Sequence, residues 1–417
     1  MAARSLADQR PVRSLGLLLF LPAVAIAVVI IVLGAASASA TFPSTNGKIV
    51  FGQVFPNYGF TIDPDSSDKH QIGPAGNTTC TNWSPDGSKV LCNLWSPDDI
   101  QPATANPDGS GFTLLNQNLP LDLFCLAWSP EGTRLLCHSE GMANPADAGL
   151  YTVRSSDAGD LVRVAATPPD GFDNGYGYSP DGSRVLFARY DSKDNGTLFS
   201  VKPDGSGAIQ LSPPGVSVID LDFFDRVGAD WSPHESRVTF AGLQRTASGG
   251  FKTGLFVVNA DGTAVRRITP RNLDALSAQW APNGEWIALT GVRRAPELWI
   301  VRPDGTGARK IALPLLDSLD RKAFKKLKRK FLTQCEKKSS NTKRCKRKAN
   351  HRAKEKVARE GVGRWTPVWS PDSTKLLFQR FAHHRPVQLW TVNADGSELS
   401  KLTQPRSPAI YAWGTQP

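Results

Sequence analysis

The sequence predicts an all-β fold, a seven-bladed β-propeller of four-stranded antiparallel blades. The ring is closed by pairing of its N- and C-terminal strands, and a basic α-helical hairpin is inserted in it. Three observations predict this. A short motif led by an aromatic residue recurs along the chain, an alternating apolar motif interleaves with it, and the repeat is cut out of phase at the two ends of the chain.

The first element, residues 1–40, reads as an export signal. Arg4, Arg10 and Arg13 form a basic start, Leu15 to Leu33 is an almost unbroken apolar run, and Ala38-Ser39-Ala40 fits a small-residue cleavage site. The run is also long enough to span a bilayer, so an uncleaved membrane anchor remains the rival reading. No cysteine follows that would carry a lipid. Both readings export the remainder, 41–417, as a secreted or anchored extracytoplasmic domain.

The repeats follow. WSPDGSKVL (83–91) returns as WSPEGTRLL (128–136), YSPDGSRVLF (178–187), WSPHESRVTF (231–240), WAPNGEWIAL (280–289) and WSPDSTKLLF (369–378). The second motif is clearest in LFSVKPDGSGA (198–208), LFVVNADGTAV (255–265), LWIVRPDGTGA (298–308) and LWTVNADGSEL (389–399). Weaker copies are TIDPDSSDK (61–69), NPDGSGFTL (106–114) and LYTVRSSDAGD (150–160). Val, Ile, Leu, Phe and Trp fill the runs and Asp-Gly or its relatives sit at the turns, so each unit reads as two hairpins. The chain enters on NGKIVF (46–51), the second half of a unit, and finishes on YAWG (411–414), the first half. A last strand that completes the first blade explains the cut, because a closed ring hides its strand edges.

The insert spans 314–364 and stretches one repeat spacing to 89 residues. Between Asp320 and Glu360 it carries 18 Lys/Arg against 4 Asp/Glu, so the chain's net charge of +11 belongs to this segment and the remainder is slightly acidic. Asp317 is placed to cap a helix in which Leu319, Ala323, Leu327 and Phe331 recur every fourth residue. After a turn at 339–342 a second basic helix carries Ala349, Ala353 and Val357 and stops at Gly361.

The WSPDG pattern with its later apolar strand and (Pro/Ala)-Asp-Gly turn resembles the WD40-like (PD40) repeats of TolB-type propellers, over nearly the whole exported chain apart from the insert. That resemblance implies the propeller fold. It does not imply a function, since the same propeller gates peptidases and forms lyases. TolB also carries an N-terminal α/β domain for which this sequence leaves no space between Ala40 and Gly47, so TolB's partner is not carried over.

The turn aspartates Asp86, Asp181, Asp204, Asp261, Asp304 and Asp395 invite a catalytic or calcium-binding reading. Each sits where turn chemistry wants it, one blade from the next, and His234 and Asn283 replace it in two units. A structural role is therefore expected. Six cysteines in an exported chain favour disulfides, with buried free thiols as the alternative. A three-residue loop Pro85-Asp86-Gly87 would pair Trp83 with Lys89 and set Cys80 opposite Cys92. The next unit would set Cys125 opposite Cys137, and Cys335 and Cys345 flank the insert's turn. A bulge at the glycine of both hairpins would undo the first two pairings.

Function is expected at the opposite end of the ring, where variable loops lie. Arg293 and Arg294, the stretch Arg380, His383, His384 and Arg385, and the insert with Lys325, Lys326, Lys328 and Arg329 converge on blades six and seven. The expected function is a non-catalytic binding or scaffold propeller. Its partners would be a protein or an anionic envelope polymer, with membrane-surface contact through the insert also open. A solvated charge run is the alternative reading of the insert. Nucleic acid is disfavoured by export and by the lack of stacking aromatics in the insert. The competing function is an enzyme, a polysaccharide lyase or hydrolase working in the central funnel with a metal at His383 or His384. There is no G-x-S-x-G elbow and the other histidines (His70, His138, His234, His351) are dispersed. No catalytic residue, metal site or cofactor is assigned.

Overall fold

The computed structural model describes residues 44–53, 57–96, 99–115, 121–142, 144–219, 228–246, 250–292, 296–337, 341–359, 364–382, 385–403 and 409–416. The leader 1–40 lies outside the described residues. Among them the chain forms antiparallel sheets arranged as a β-propeller, with two helices. Units are named below by their lead aromatic.

The ring closes as the split repeat requires. The first strand, Asn46–Gln53, pairs antiparallel with the last, Ala409–Thr415, with Ile49 opposite Trp413 and Phe51 opposite Tyr411. The Trp413 indole donates to the Gly47 carbonyl at 3.1 Å and is 2% exposed. Apolar clusters then join each unit to the next in cyclic order. Val50 and Ile72 meet Trp83 and Cys92, Leu91 meets Trp128 and Leu135, and Leu136 meets Tyr178 and Phe187. Leu186 meets Trp231 and Phe240, Leu255 meets Trp280 and Leu289, Leu298 meets Trp369 and Phe378, and Leu377 meets Trp413 and Ile49. Burial between sheets, repeated around the ring, is what allows short strands to form a stable domain.

Three features depart from the sequence reading. The first is register. Ser84 N–H bonds the Lys89 carbonyl at 2.9 Å, so the turn holds four residues and Trp83 faces Val90. The cause is local: the Ser88 N–H and hydroxyl are both taken by the Asp86 carboxylate, which moves closure on to Lys89. An extra residue at Thr81 then resets the ladder and brings Cys80 opposite Cys92. The Trp128 unit repeats both shifts, with Trp128 opposite Leu135 and Cys125 opposite Cys137. A bulge also interrupts the same strand of the Tyr178 and Trp369 units.

The second is the junction of the Tyr178 and Trp231 units. Instead of separate four-stranded sheets, these form one nine-stranded sheet. After a turn at Pro213–Gly215, Val216–Val218 pairs with Gly242–Gln244 and touches Gly196. Those partners exist because the central strands of the Trp231 unit, Arg237–Arg245 and Phe251–Asn259, run nine residues each against six in the preceding unit. The third is the insert. Its first helix is Pro314–Glu336, starting before Asp317, with proline in its first turn and no side-chain cap at Leu313. Proline's fixed φ suits that position. The second helix is Thr342–Arg359, and Asn341 caps it by accepting from the Arg344 N–H at 2.9 Å.

Candidate functional site

At the turn end of the ring the aspartates are occupied by their own turns. Ser84 Oγ donates to Asp86 at 2.6 Å and itself accepts from the Lys89 N–H at 2.9 Å. The same set recurs as Ser179–Asp181–Arg184 and Ser370–Asp372–Lys375. The serine hydrogen bond is the largest influence on Asp86 and Asp181 and holds both carboxyls below their usual range. For Asp372 burial pulls upward, and the bonds from Ser370 and Thr374 together outweigh it. In the second hairpins Asp204, Asp261, Asp304 and Asp395 accept the N–H two residues on at 2.8–2.9 Å. These are turn-closing acids, spread around the ring. Among the described residues no three of His, Cys, Asp and Glu come together as a metal site would need.

The cysteines are paired: Cys80–Cys92 and Cys125–Cys137 cross adjacent strands, and Cys335–Cys345 joins the two helices. These four cysteines are fully buried in the clusters between units, so their bonds staple strand to strand within a unit rather than serve a reactive site.

Strand direction separates the two ends. Each unit's turns lie at one end, so its central loops and its connection to the next unit lie at the other. The insert leaves from such a connection, between Arg309–Lys310 of the Trp280 unit and Arg364–Trp369 of the next. Leu313 and Leu316, both 0% exposed, root it in the cluster of Trp369 and Trp390. Along the arm Leu327, Cys345, Ala349 and Ala353 are buried, while Lys325, Lys326 and Arg329 are exposed and Lys328 is half-buried.

The other expected contacts fare unevenly. Arg293, Arg294, His383 and His384 lie outside the described residues. Arg385 opens the strand Arg385–Asn393 and pairs with Ala382, so it lies in paired strand where a variable loop was expected. Arg380 sits inside the strand Lys375–Ala382 and is 5% exposed, so it packs within the sheet and presents no surface charge.

Two features escaped the sequence reading. A cleft of about 700 Å³ opens at the loop end between the Tyr178 and Trp231 units, lined by Lys193, Gln210, Ser212, Val216, Arg245 and Phe251. The unusually long alternating run RVTFAGLQR was its signal. Buried on an inner strand is Asp230, 3% exposed, whose Oδ2 accepts from the Trp280 N–H of the next unit at 2.7 Å. Among the described residues its Oδ1 has no hydrogen-bond partner, and burial drives this carboxyl well above the ordinary range. Gln279 plays the equivalent part toward Trp369, accepting its N–H at 2.9 Å.

The architecture defines the chain as a β-propeller with a basic helical arm. No family model matches the chain, and no curated protein matches it in sequence. Solved structures do match. The β-propeller domain of the Trilobed protease from Pyrococcus furiosus is 12% identical, with a TM-score of 0.53, and the match covers 88% of this chain and 98% of that one. An oligogalacturonate lyase in complex with manganese is 13% identical with a TM-score of 0.53, covering 92% and 88%. TolB from Acinetobacter baumannii is 11% identical with a TM-score of 0.47, covering 89% and 67%. The chain is thus similar in fold to other β-propellers, some of them enzymes. At these identities the likeness is one of fold.

Proposed function

We propose that this chain is an exported, non-catalytic binding propeller that meets a protein or an anionic envelope polymer at its loop end, near the Trp280 and Trp369 units. One observation carries the reading: the chain's concentrated positive charge sits on a helical arm whose base is buried in the ring's own core. A solvated charge run needs no such root. Three disulfides fit an oxidising, extracytoplasmic compartment. The acids that could have suggested catalysis are held in turns instead. The test removes residues 318–360, closes the gap with a short glycine-serine linker and compares binding to envelope extract at low and high salt. Binding is expected to be salt-sensitive in the full chain and absent in the deletion, with the urea midpoint of the ring retained. Undiminished binding by a folded deletion variant refutes the proposal, and a stoichiometric transition metal in the purified chain would favour an enzyme.

A further inference from the structure

We infer that the arm's partner is a linear polymer of phosphate charges, not a bilayer surface. This rests on the reading of the arm as the contact zone. On the first helix Lys322, Lys326 and Lys330 are all exposed, as are Lys325 and Arg329 beside them. On the second helix Arg344, Lys348 and Arg352 are exposed, with Lys343, Lys346 and Arg347 alongside. Glu336, at the end of the first helix, is an exposed acid among these cations.

The spacing matters. Lys322–Lys326–Lys330 and Arg344–Lys348–Arg352 each step by four residues, which places neighbouring cations about 6 Å apart along the helix. Like charges at this spacing repel one another and weaken a helix that stands alone. The Cys335–Cys345 bond and the buried Leu313 and Leu316 hold the arm together against that repulsion, so its charges are fixed before any partner arrives. A chain bearing an anion every few ångströms can neutralise such a row and release its own counterions as it does so.

A bilayer is the poorer fit. A helix that settles into the headgroup region needs an apolar face of large side chains. The arm turns Leu327, Ala349 and Ala353 inward, and the exposed large apolar residues of the described chain are Met142, Leu161 and Phe251, none of them on the arm. Phosphate is favoured over carboxylate by the same-face pairs Lys325–Arg329, Lys326–Lys330 and Lys343–Arg347, each four residues apart and exposed. The oxygens of a tetrahedral phosphate diverge more widely than the two coplanar oxygens of a carboxylate, which suits sharing between two cations of such a row.

The test uses the full exported chain, long-chain inorganic polyphosphate, polyglutamate at equal charge concentration and vesicles of phosphatidylcholine with phosphatidylglycerol, followed by titration calorimetry over a salt series. Polyphosphate is expected to bind at least about tenfold more tightly than polyglutamate, and vesicles weakly, with affinity falling steeply with salt. The triple variant Lys322→Ala, Lys326→Ala, Lys330→Ala, which keeps good helix formers at exposed positions, should weaken polyphosphate binding. It should also make the slope of log K against log salt shallower by roughly two to three. Equal affinity for polyglutamate overturns the choice of phosphate, and preferred binding to vesicles overturns the polymer. An unchanged salt slope in the variant overturns the arm as the site. If polyphosphate fails while the 318–360 deletion still abolishes binding to envelope extract, only the ligand class falls; if the deletion has no effect, the contact-zone reading falls with it.

Discussion

Asp230→Asn should stabilise the protein increasingly as pH rises. Asp230 is buried, one oxygen accepts from the Trp280 N–H, and among the described residues the other oxygen has no hydrogen-bond partner and no cation offsets the charge. Burial therefore raises its folded-state pKa above the ordinary 3.8. The folded chain then holds this proton where the unfolded chain has lost it. That contribution is complete below the unfolded pKa and disappears as pH climbs toward the folded one. Within that window stability falls by up to about 1.4 kcal/mol per pH unit from this group alone. Asparagine cannot ionise and keeps an oxygen for the Trp280 N–H, so the variant lacks the slope. Asp86, Asp181 and Asp372, with lowered values, act in the opposite sense and lose their contribution as pH falls. They are common to both chains and cancel in the difference. Urea denaturation followed by tryptophan fluorescence, with disulfides intact, at a series of pH values from acid to mildly alkaline measures that difference. The curves should converge near pH 4 and separate above it in favour of the variant. Curves that run parallel within about 0.5 kcal/mol, or separate the other way, would refute the account of Asp230 as a destabilising buried acid.

Further outcomes follow from the packing. Trp413→Ala removes a 2%-exposed side chain from the closing strand and should cost about 3–5 kcal/mol in urea denaturation, against under about 1 kcal/mol for substitution of an exposed residue such as Lys401. Replacing Cys80 and Cys92 together by alanine opens a loop of sequence separation 12, and thermal or chemical unfolding should register a loss of about 2–4 kcal/mol with the other two bonds intact by mass mapping. Asp173→Ala strips Arg189 of a paired carboxylate at 2.7 Å. Because that guanidinium keeps some solvent contact, the expected loss is about 2 kcal/mol rather than the larger cost of a fully buried pair. Asp204→Asn alters an exposed turn acid and should leave both stability and binding within experimental error, which would fail if the turn aspartates formed a ligand site.

What could be read from the sequence was what neighbouring residues decide. Ser-Pro-Asp-Gly chooses its turn, alternating Val, Leu and Trp choose strands, and the out-of-phase ends imply that Trp413 must pair with the first strand, as it does. Reading failed where a distant or finer interaction decides. The turn register depends on whether the Ser88 N–H bonds the Ser84 carbonyl or the Asp86 carboxylate, a choice between main chain and side chain that spacing does not encode. The cysteine partners came through that error because a second offset, at Thr81 and again at Leu126, cancels the first. The offset has its own cause. All of Thr78–Trp83 is buried, and the extra residue lets Thr81 and Asn82 both turn toward the next unit, where they donate to the Cys125 and Leu126 carbonyls. A strict alternation would bury one of the two against its own sheet without a partner, at a cost of about 1–3 kcal/mol. In the Trp83 unit the bulge and the disulfide are thus parts of one solution: the extra residue lets Thr81 and Asn82 fasten this unit to the next, and it sets the cysteines face to face. The same logic governs the arm. Its charge was plain in the sequence because charge is a composition, whereas its attachment through Leu313 and Leu316 was not, because two leucines after a strand gain meaning only when Trp369 and Trp390 close over them from the next unit.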